Sequence, residues 1–231
     1  MTGNAAVSKA LSETALALDL ELVPEVALAL AEVPSEEFRT LRTRLEQLPW
    51  PRALRTILIT SPAPGEGKSF TAANLALAQA QLRDNPTLLC DFNLRSPMVH
   101  SVFQIERSPG ISDYLLGRAD LHEALRRIGN SNLFVMPAGE AAANPLELLH
   151  LKEVPRMMDR LRNAFRWILL DSPGLQAASD ANVLAALADG ALLVARIGAT
   201  TADSITRAIG SLGQDNILGL VANGAGVSTF R

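Results

Sequence analysis

Gly65, Gly67, Lys68 and Ser69 fall within five consecutive positions, and they are the residue types a polyphosphate needs. The two glycines let the backbone curl so that its N–H groups point inward at phosphate oxygens. Lys68 brings a mobile positive charge to the β- and γ-phosphates. Ser69 opens a helix, where its hydroxyl can join a Mg²⁺ shell while the helix N-terminus favours an anion. The strict spacing G-x-x-x-x-G-K-[ST] is not met, because its first glycine would fall on Pro62. The context still supports phosphate binding, since a strand-like run precedes the loop and a helical run follows it. Pro64, Gly65, Glu66, Gly67, Lys68, Ser69 and Phe70 therefore form the candidate cofactor-binding loop. Two further acids matter. Asp91 ends the apolar run TLLCD, and Asp171 ends WILLD. In an open α/β sheet the carboxyl ends of the strands surround the ligand crevice, and a carboxylate there can hold Mg²⁺ directly or through water. Ser69, Asp91 and Asp171 are the candidate metal ligands, and Lys68, Asp91 and Asp171 the candidate catalytic residues.

These residues need a scaffold. After Pro51 the chain alternates short apolar runs with helical stretches. The runs are 56–60, 87–91, 133–137, 167–171, 191–197 and 217–223. Each is nearly all apolar, as suits strands buried on both faces of a parallel sheet. Helices are expected over Ser69–Leu82, Asp120–Ile128, Val154–Phe165, Ala178–Leu187 and Ala202–Leu212. The alternation predicts an α/β fold with a doubly wound, mostly parallel sheet flanked by helices, and a helical extension at its N-terminus. In that extension Ser35 reads as an N-cap, with Glu36 and Glu37 in the positive first turn. Phe38, Leu41 and Leu45 share one face, and Pro49 and Pro51 end the helix. The expected organisation is an arm over 1–34, partly flexible and with room for a short helix, then one domain over 35–231 that includes the helix 35–48.

Composition narrows the classes. The chain has 231 residues, 48% hydrophobic and 19% charged, which excludes a wholly disordered chain. No apolar run approaches the roughly 18 residues of a membrane span, and the first residues do not read as a secretory leader. A single cysteine, Cys90, fits a reducing cytoplasm and reads as a core thiol. A net charge of −3 gives no general reason to bind nucleic acid. His100, His122 and His150 show no metal-site spacing. Trp50, Trp167 and Tyr114 read as packing residues.

Three stretches together, SPAPGEGKSFTAANLALAQAQ, LLCDFNLRSPMVH and WILLDSPGLQAASDANVLAALADGALLVARIGATT, resemble the bacterial tyrosine kinase family. PGISDYLLG, LFVMPAGEAAANPLELL and ILGLVANGA fit as well, so the likeness covers roughly residues 35–225. The resemblance implies a cytoplasmic P-loop ATPase tied to capsule and exopolysaccharide chain-length control, using ATP and Mg²⁺. It places Gly65, Gly67, Lys68 and Ser69 in the first phosphate motif. Asp91 opens the second motif near the γ-phosphate, and Asp171 is the metal-linked acid of the third. Asn223 falls where related ATPases contact the base. Glu36, Arg39 and Arg42 match an E-x-x-R-x-x-R pattern used in self-association, which implies a homo-oligomer. The implied partner is a separate membrane polysaccharide co-polymerase whose cytoplasmic tail completes the site and holds the protein at the inner face of the membrane.

The chain departs from the family pattern at four places. Asn93 stands where the second motif usually has an acid, which weakens metal organisation near the γ-phosphate. The sequence ends NGAGVSTFR without a tyrosine cluster, and Tyr114 is its single tyrosine. Ser172 replaces one of two usual prolines in the third motif, which would loosen the loop that follows. Ser96 stands where an arginine often follows Arg95. The expected activity is therefore ATP–Mg²⁺ binding with poor or absent tyrosine autokinase activity, the acceptor being water or a tyrosine hydroxyl. Two alternatives stand beside it. One is a non-catalytic nucleotide-dependent scaffold. The other is a partitioning or positioning ATPase, against which Ala63 speaks, since that group carries an extra lysine there.

Overall fold

A computed structural model describes residues 18, 23–26, 35–51, 53–82, 85–176 and 180–224. Elements in chain order are β1 (Glu25–Val26), α1 (Glu36–Gln47), β2 (Thr56–Thr60), α2 (Lys68–Ala80), β3 (Thr87–Asp91), α3 (Val99–Phe103) and α4 (Ile111–Leu115). Then follow β4 (Arg126–Ile128), β5 (Leu133–Met136), α5 (Pro145–Leu149), α6 (Glu153–Ala164), β6 (Trp167–Asp171), α7 (Asp180–Ala185), β7 (Gly190–Arg196), α8 (Ala202–Leu212) and β8 (Ile217–Asn223).

The strands form one eight-stranded sheet in the order β1-β4-β5-β3-β6-β2-β7-β8. Pairing is parallel throughout except between β4 and β5. The six expected strands are all present, and the four at the centre are buried on both faces. Alternate side chains go to opposite cores, as the period of two requires. Ile57, Ile59, Leu89 and Leu169 pack under α1, α2 and α3. Leu58, Leu88, Ile168 and Leu170 pack under α4, α5, α6 and α7. The result is the expected doubly wound sheet between two helical layers.

One expectation is corrected. Asp120–Ile128 is not a helix: residues 121–124 are turns, and Arg126–Ile128 is the strand β4. Arg126 donates to the carbonyls of Leu125 and Ser108, which commits its charge to loop backbone instead of a helix face. In the arm, Glu25–Val26 is a strand added to β4, and Val23 is buried in the core. Most of residues 1–34, and the start of the helix expected over Ala178–Leu187, lie outside the described residues.

α1 behaves as its pattern predicts. Leu45 is buried, and Phe38 and Leu41 pack on the same core. Ser35 holds the N-cap position without a side-chain cap bond. At the sheet's lower end the Asp189 carboxylate accepts the amides of Arg55 and Thr56, at 2.9 and 2.8 Å, and so fixes the start of β2.

Candidate functional site

The site lies where β2, β3 and β6 end. β2 runs into the loop 61–67, and the helix α2 starts at Lys68. Gly65 and Gly67 both take positive φ, 77° and 95°. At Gly67 a Cβ would come within 1.8 Å of Asn223 Nδ2, so a side chain there would push Asn223 off the loop as well as strain the positive φ. Asn223 Nδ2 donates to the Glu66 carbonyl at 2.9 Å. The end of β8 therefore lies directly on the loop, with Asn223 against its backbone.

The loop after β6 braces the other side. Leu175 and Gln176 donate backbone N–H groups to the carbonyls of Ser61 and Pro62, at 2.9 and 3.1 Å. Gly174 packs so closely on Ala63 and Pro64 that a Cβ would meet backbone at 2.9 Å. Ser172 is fully buried and donates to the Ile59 carbonyl. The loosening expected from Ser172 therefore does not occur over residues 172–176. The hydroxyl finds a backbone acceptor and the segment is tied to the phosphate loop.

Asp91 and Asp171 are register partners on adjacent strands, and both are fully buried. They differ in what they hold. Asp91 accepts three backbone amides, from Asn93 at 3.2 Å and from Met98 and Val99 at 3.0 Å each. Burial pushes its pKa up, while those amides and the nearby Arg107 oppose the shift. Asp171 accepts the Ser69 hydroxyl on Oδ2 at 2.5 Å, and its Oδ1 is buried with no partner. Burial, then the charge of Asp91, push Asp171 well above the ordinary carboxylate range; the Ser69 hydroxyl and the Lys68 ammonium pull the other way. Lys68 is itself buried. Desolvation lowers its pKa against the attraction of Asp171 and Glu66.

An orphaned carboxylate oxygen beside a serine hydroxyl at a helix N-terminus fits a hard divalent cation with oxygen ligands. Ser69 and Asp171 could hold Mg²⁺ there. Asp91 is placed to shape the same pocket, with its own oxygens engaged by the loop 93–99. Asn93 closes a turn, its Nδ2 donating to the Ser96 carbonyl at 2.7 Å. Beyond the phosphate loop, an apolar cleft of about 700 Å³ opens between α1, the first turn of α2 and β8. Phe38, Leu41, Phe70 and Leu220 line it, with Asn223 at its inner end. Phe70 meets Phe38 edge to face at 5.8 Å.

Of the three candidate self-association residues, only two face solvent together. Arg39 bonds Glu36 at 3.1 Å on the exposed side of α1, whereas Arg42 turns inward and donates to the Ala78 carbonyl at 2.7 Å. Two site features were missed from the sequence. Asp180 is buried and pairs with Arg95 at 2.9 Å, which joins the loop that follows β3 to the start of α7. Thr200 bonds the Glu66 carboxylate. Both contacts cross more than 80 positions of sequence, and no local pattern marks either residue.

The family model described as cellulose biosynthesis protein BcsQ matches residues 55–214. The tyrosine-protein kinase YwqD of Bacillus subtilis is 35% identical over 196 residues, covering 84% of this chain and 82% of the relative. The chain belongs to the bacterial tyrosine kinase family. The tyrosine-protein kinase Etk of Escherichia coli is 32% identical, and there the match covers 84% of this chain but only 27% of the relative. The solved kinase domain of Etk superposes with a TM-score of 0.77 at 31% identity, over 82% of this chain and 74% of that one. The chimerical protein CapA2B2 gives 0.79 at 27%, over 87% and 92%. The cell division ATPase MinD of Pyrococcus furiosus, at 24% identity and a TM-score of 0.63 over 76% and 74%, shares the fold. Among the described residues no helix is long and apolar enough to cross a membrane.

Proposed function

We propose that this member of the tyrosine kinase family binds Mg·ATP and works as a nucleotide-dependent regulator of exopolysaccharide or capsule assembly, with weak tyrosine autokinase activity. One observation carries the nucleotide reading: the unpartnered Asp171 Oδ1 beside the Ser69 hydroxyl, at the mouth of a loop whose glycines both take positive φ. Mg²⁺ bound there would supply charge neutralisation for phosphoryl transfer, a reaction in which the protein contributes mainly positioning and electrostatics. Lys68 would neutralise the β- and γ-phosphate oxygens, and the N-terminus of α2 would favour the anion. The base would lie in the apolar cleft beside Phe38 and Phe70, with Asn223 at its edge. The acceptor is water or a tyrosine hydroxyl. Asn93 supports the low autokinase rate, because an amide tied to Ser96 brings no charge to the metal. The partner in this reading is a separate membrane co-polymerase whose cytoplasmic tail completes the site at the inner face of the membrane, and the protein assembles with itself through the exposed pair Glu36 and Arg39, with Arg42 docking their helix on α2.

The test is nucleotide binding, phosphate release and phosphotyrosine measured together, with wild type beside Lys68→Met. Wild type should bind Mg·ATP and Lys68→Met should not, with phosphotyrosine scarce in both. Asn93→Asp should raise turnover by restoring an acid. Failure of wild type to bind Mg·ATP would overturn the nucleotide reading. Abundant lysine-dependent phosphotyrosine on the purified protein would overturn the weak-kinase reading. Tight binding without turnover, even with the partner's tail added, would favour a nucleotide-dependent scaffold.

A further inference from the structure

An acidic side chain in the middle of an anion-binding loop is a physical puzzle. Glu66 stands between the two glycines of the phosphate loop and is only 5% exposed. A free carboxylate there would repel the phosphates that the loop is built to cradle. The structure turns it away and holds it. Oε2 accepts the Ala63 amide at 3.0 Å, and Oε1 accepts the Thr200 hydroxyl. Thr200 is itself fixed. Its Oγ1 accepts the Arg196 amide at 2.7 Å, and its own amide donates to the Arg196 carbonyl at 2.9 Å. The single hydroxyl proton is thus directed at Glu66 while a lone pair is occupied by the end of β7. The Glu66 carbonyl is held in turn by Asn223, whose own carbonyl accepts the Ile197 amide. The phosphate loop is therefore tied through one glutamate to the turn between β7 and α8, and to the end of β8.

We propose that Thr200 is a positioning residue for nucleotide binding: its hydroxyl, acting through the Glu66 carboxylate, holds the phosphate loop in its binding shape and keeps that carboxylate off the phosphates. This rests on the Mg·ATP reading above. Without the hydroxyl, Glu66 Oε1 loses its donor and the Ala63 amide alone is left to keep the carboxylate off the phosphates. The loop then has to be ordered by the ligand, at the cost of affinity. The hydrogen bonds of Thr200 go to Arg196 and Glu66, and Glu66 is the one of the two that belongs to the phosphate loop, so its effect passes through Glu66.

The test titrates fluorescent Mg·ADP against wild type, Thr200→Val, Thr200→Ser, Glu66→Ala and the Glu66→Ala/Thr200→Val double variant. Thr200→Val should weaken binding about tenfold, the scale of one charge-assisted hydrogen bond. Thr200→Ser keeps the hydroxyl and should stay within about twofold of wild type, since it preserves the bond that matters. In the Glu66→Ala background Thr200→Val should change nothing further, because the shared partner is gone. A general packing role would instead weaken binding equally in both backgrounds. Thr200→Ala gives the same readout should the valine variant not fold. Full affinity in Thr200→Val and Thr200→Ala, or additive losses with Glu66→Ala, would overturn the proposal. Wild type that fails to bind Mg·ADP would overturn the nucleotide reading along with it, whereas binding unmoved by either substitution overturns the Thr200 assignment alone.

Discussion

Asp171 and Asp91 are the same side chain on neighbouring strands, yet they should respond oppositely to the same substitution. Asp171 is buried beside another carboxylate and uses one oxygen. Asp171→Asn removes a buried acid that can ionise only beside another carboxylate, while an amide oxygen can still accept from Ser69, so at neutral pH the metal-free protein should melt higher. The same change should abolish the extra melting shift that Mg²⁺ gives over nucleotide alone. Asp91 uses both oxygens on three amides. Asp91→Asn puts an NH₂ where an acceptor is needed and should cost about 1–3 kcal/mol. Equal melting of the two variants, read by circular dichroism, would contradict this reading. The pH dependence follows from the same shifts. Both acids are held above their unfolded values, so the native state keeps protons that the unfolded chain has already released. The stability of the metal-free protein should then fall as pH rises from about 4, the ordinary aspartate value, through the raised values. Asp171→Asn should flatten that slope. A metal-free protein whose stability climbs across the window would count against it.

Elements were legible where the physics is local. Five of the six apolar runs became buried strands because a strand buried on both faces must be apolar throughout, whereas β8, equally apolar, is a half-exposed edge; α1 showed its face through Phe38, Leu41 and Leu45. The packing of α1 is testable: Leu45→Ala should destabilise the protein by about 2–5 kcal/mol in denaturant, as expected for a buried leucine. A loss well under that range would mean that α1 is only loosely docked. β1 and β4 were not legible. Arg126-Arg127-Ile128 carries no apolar run, and Glu25–Val26 becomes a strand only because β4 is there to pair with. The helices α3, α4 and α5 span five residues each, too short for a 3.6-residue period to declare itself. At the site, Gly65, Gly67, Lys68, Ser69 and Asp171 could be read from types and spacing, since each has its own mechanical reason. Thr200 and Asp180 could not, because their roles exist only once distant loops meet. The inward bond of Arg42 was not legible either: the E-x-x-R-x-x-R pattern does not say which of its residues the neighbouring helix takes.

At the scale of the whole molecule, the inward turn of Arg42 makes self-association separable from folding. Glu36 and Arg39 form an exposed pair on α1, a kind of contact that contributes little to stability. Arg42 instead bonds the Ala78 carbonyl, and its Nε is buried without a partner, so it anchors α1 to α2. If α1 mediates assembly, removing the exposed pair should cost assembly alone. Glu36→Ala/Arg39→Ala should shift the oligomer that wild type forms with Mg·ATP toward monomer in light scattering, with melting unchanged. Arg42→Ala should do both, lowering stability by about 1 kcal/mol for the lost hydrogen bond while also weakening assembly. The contrast decides between two views of the motif. A double variant that melts early means that Glu36 and Arg39 serve the fold. A double variant that keeps both melting and oligomer means that copies meet elsewhere, and the half-exposed edge strand β8, beside the cleft that α1 shares, is the next surface to change.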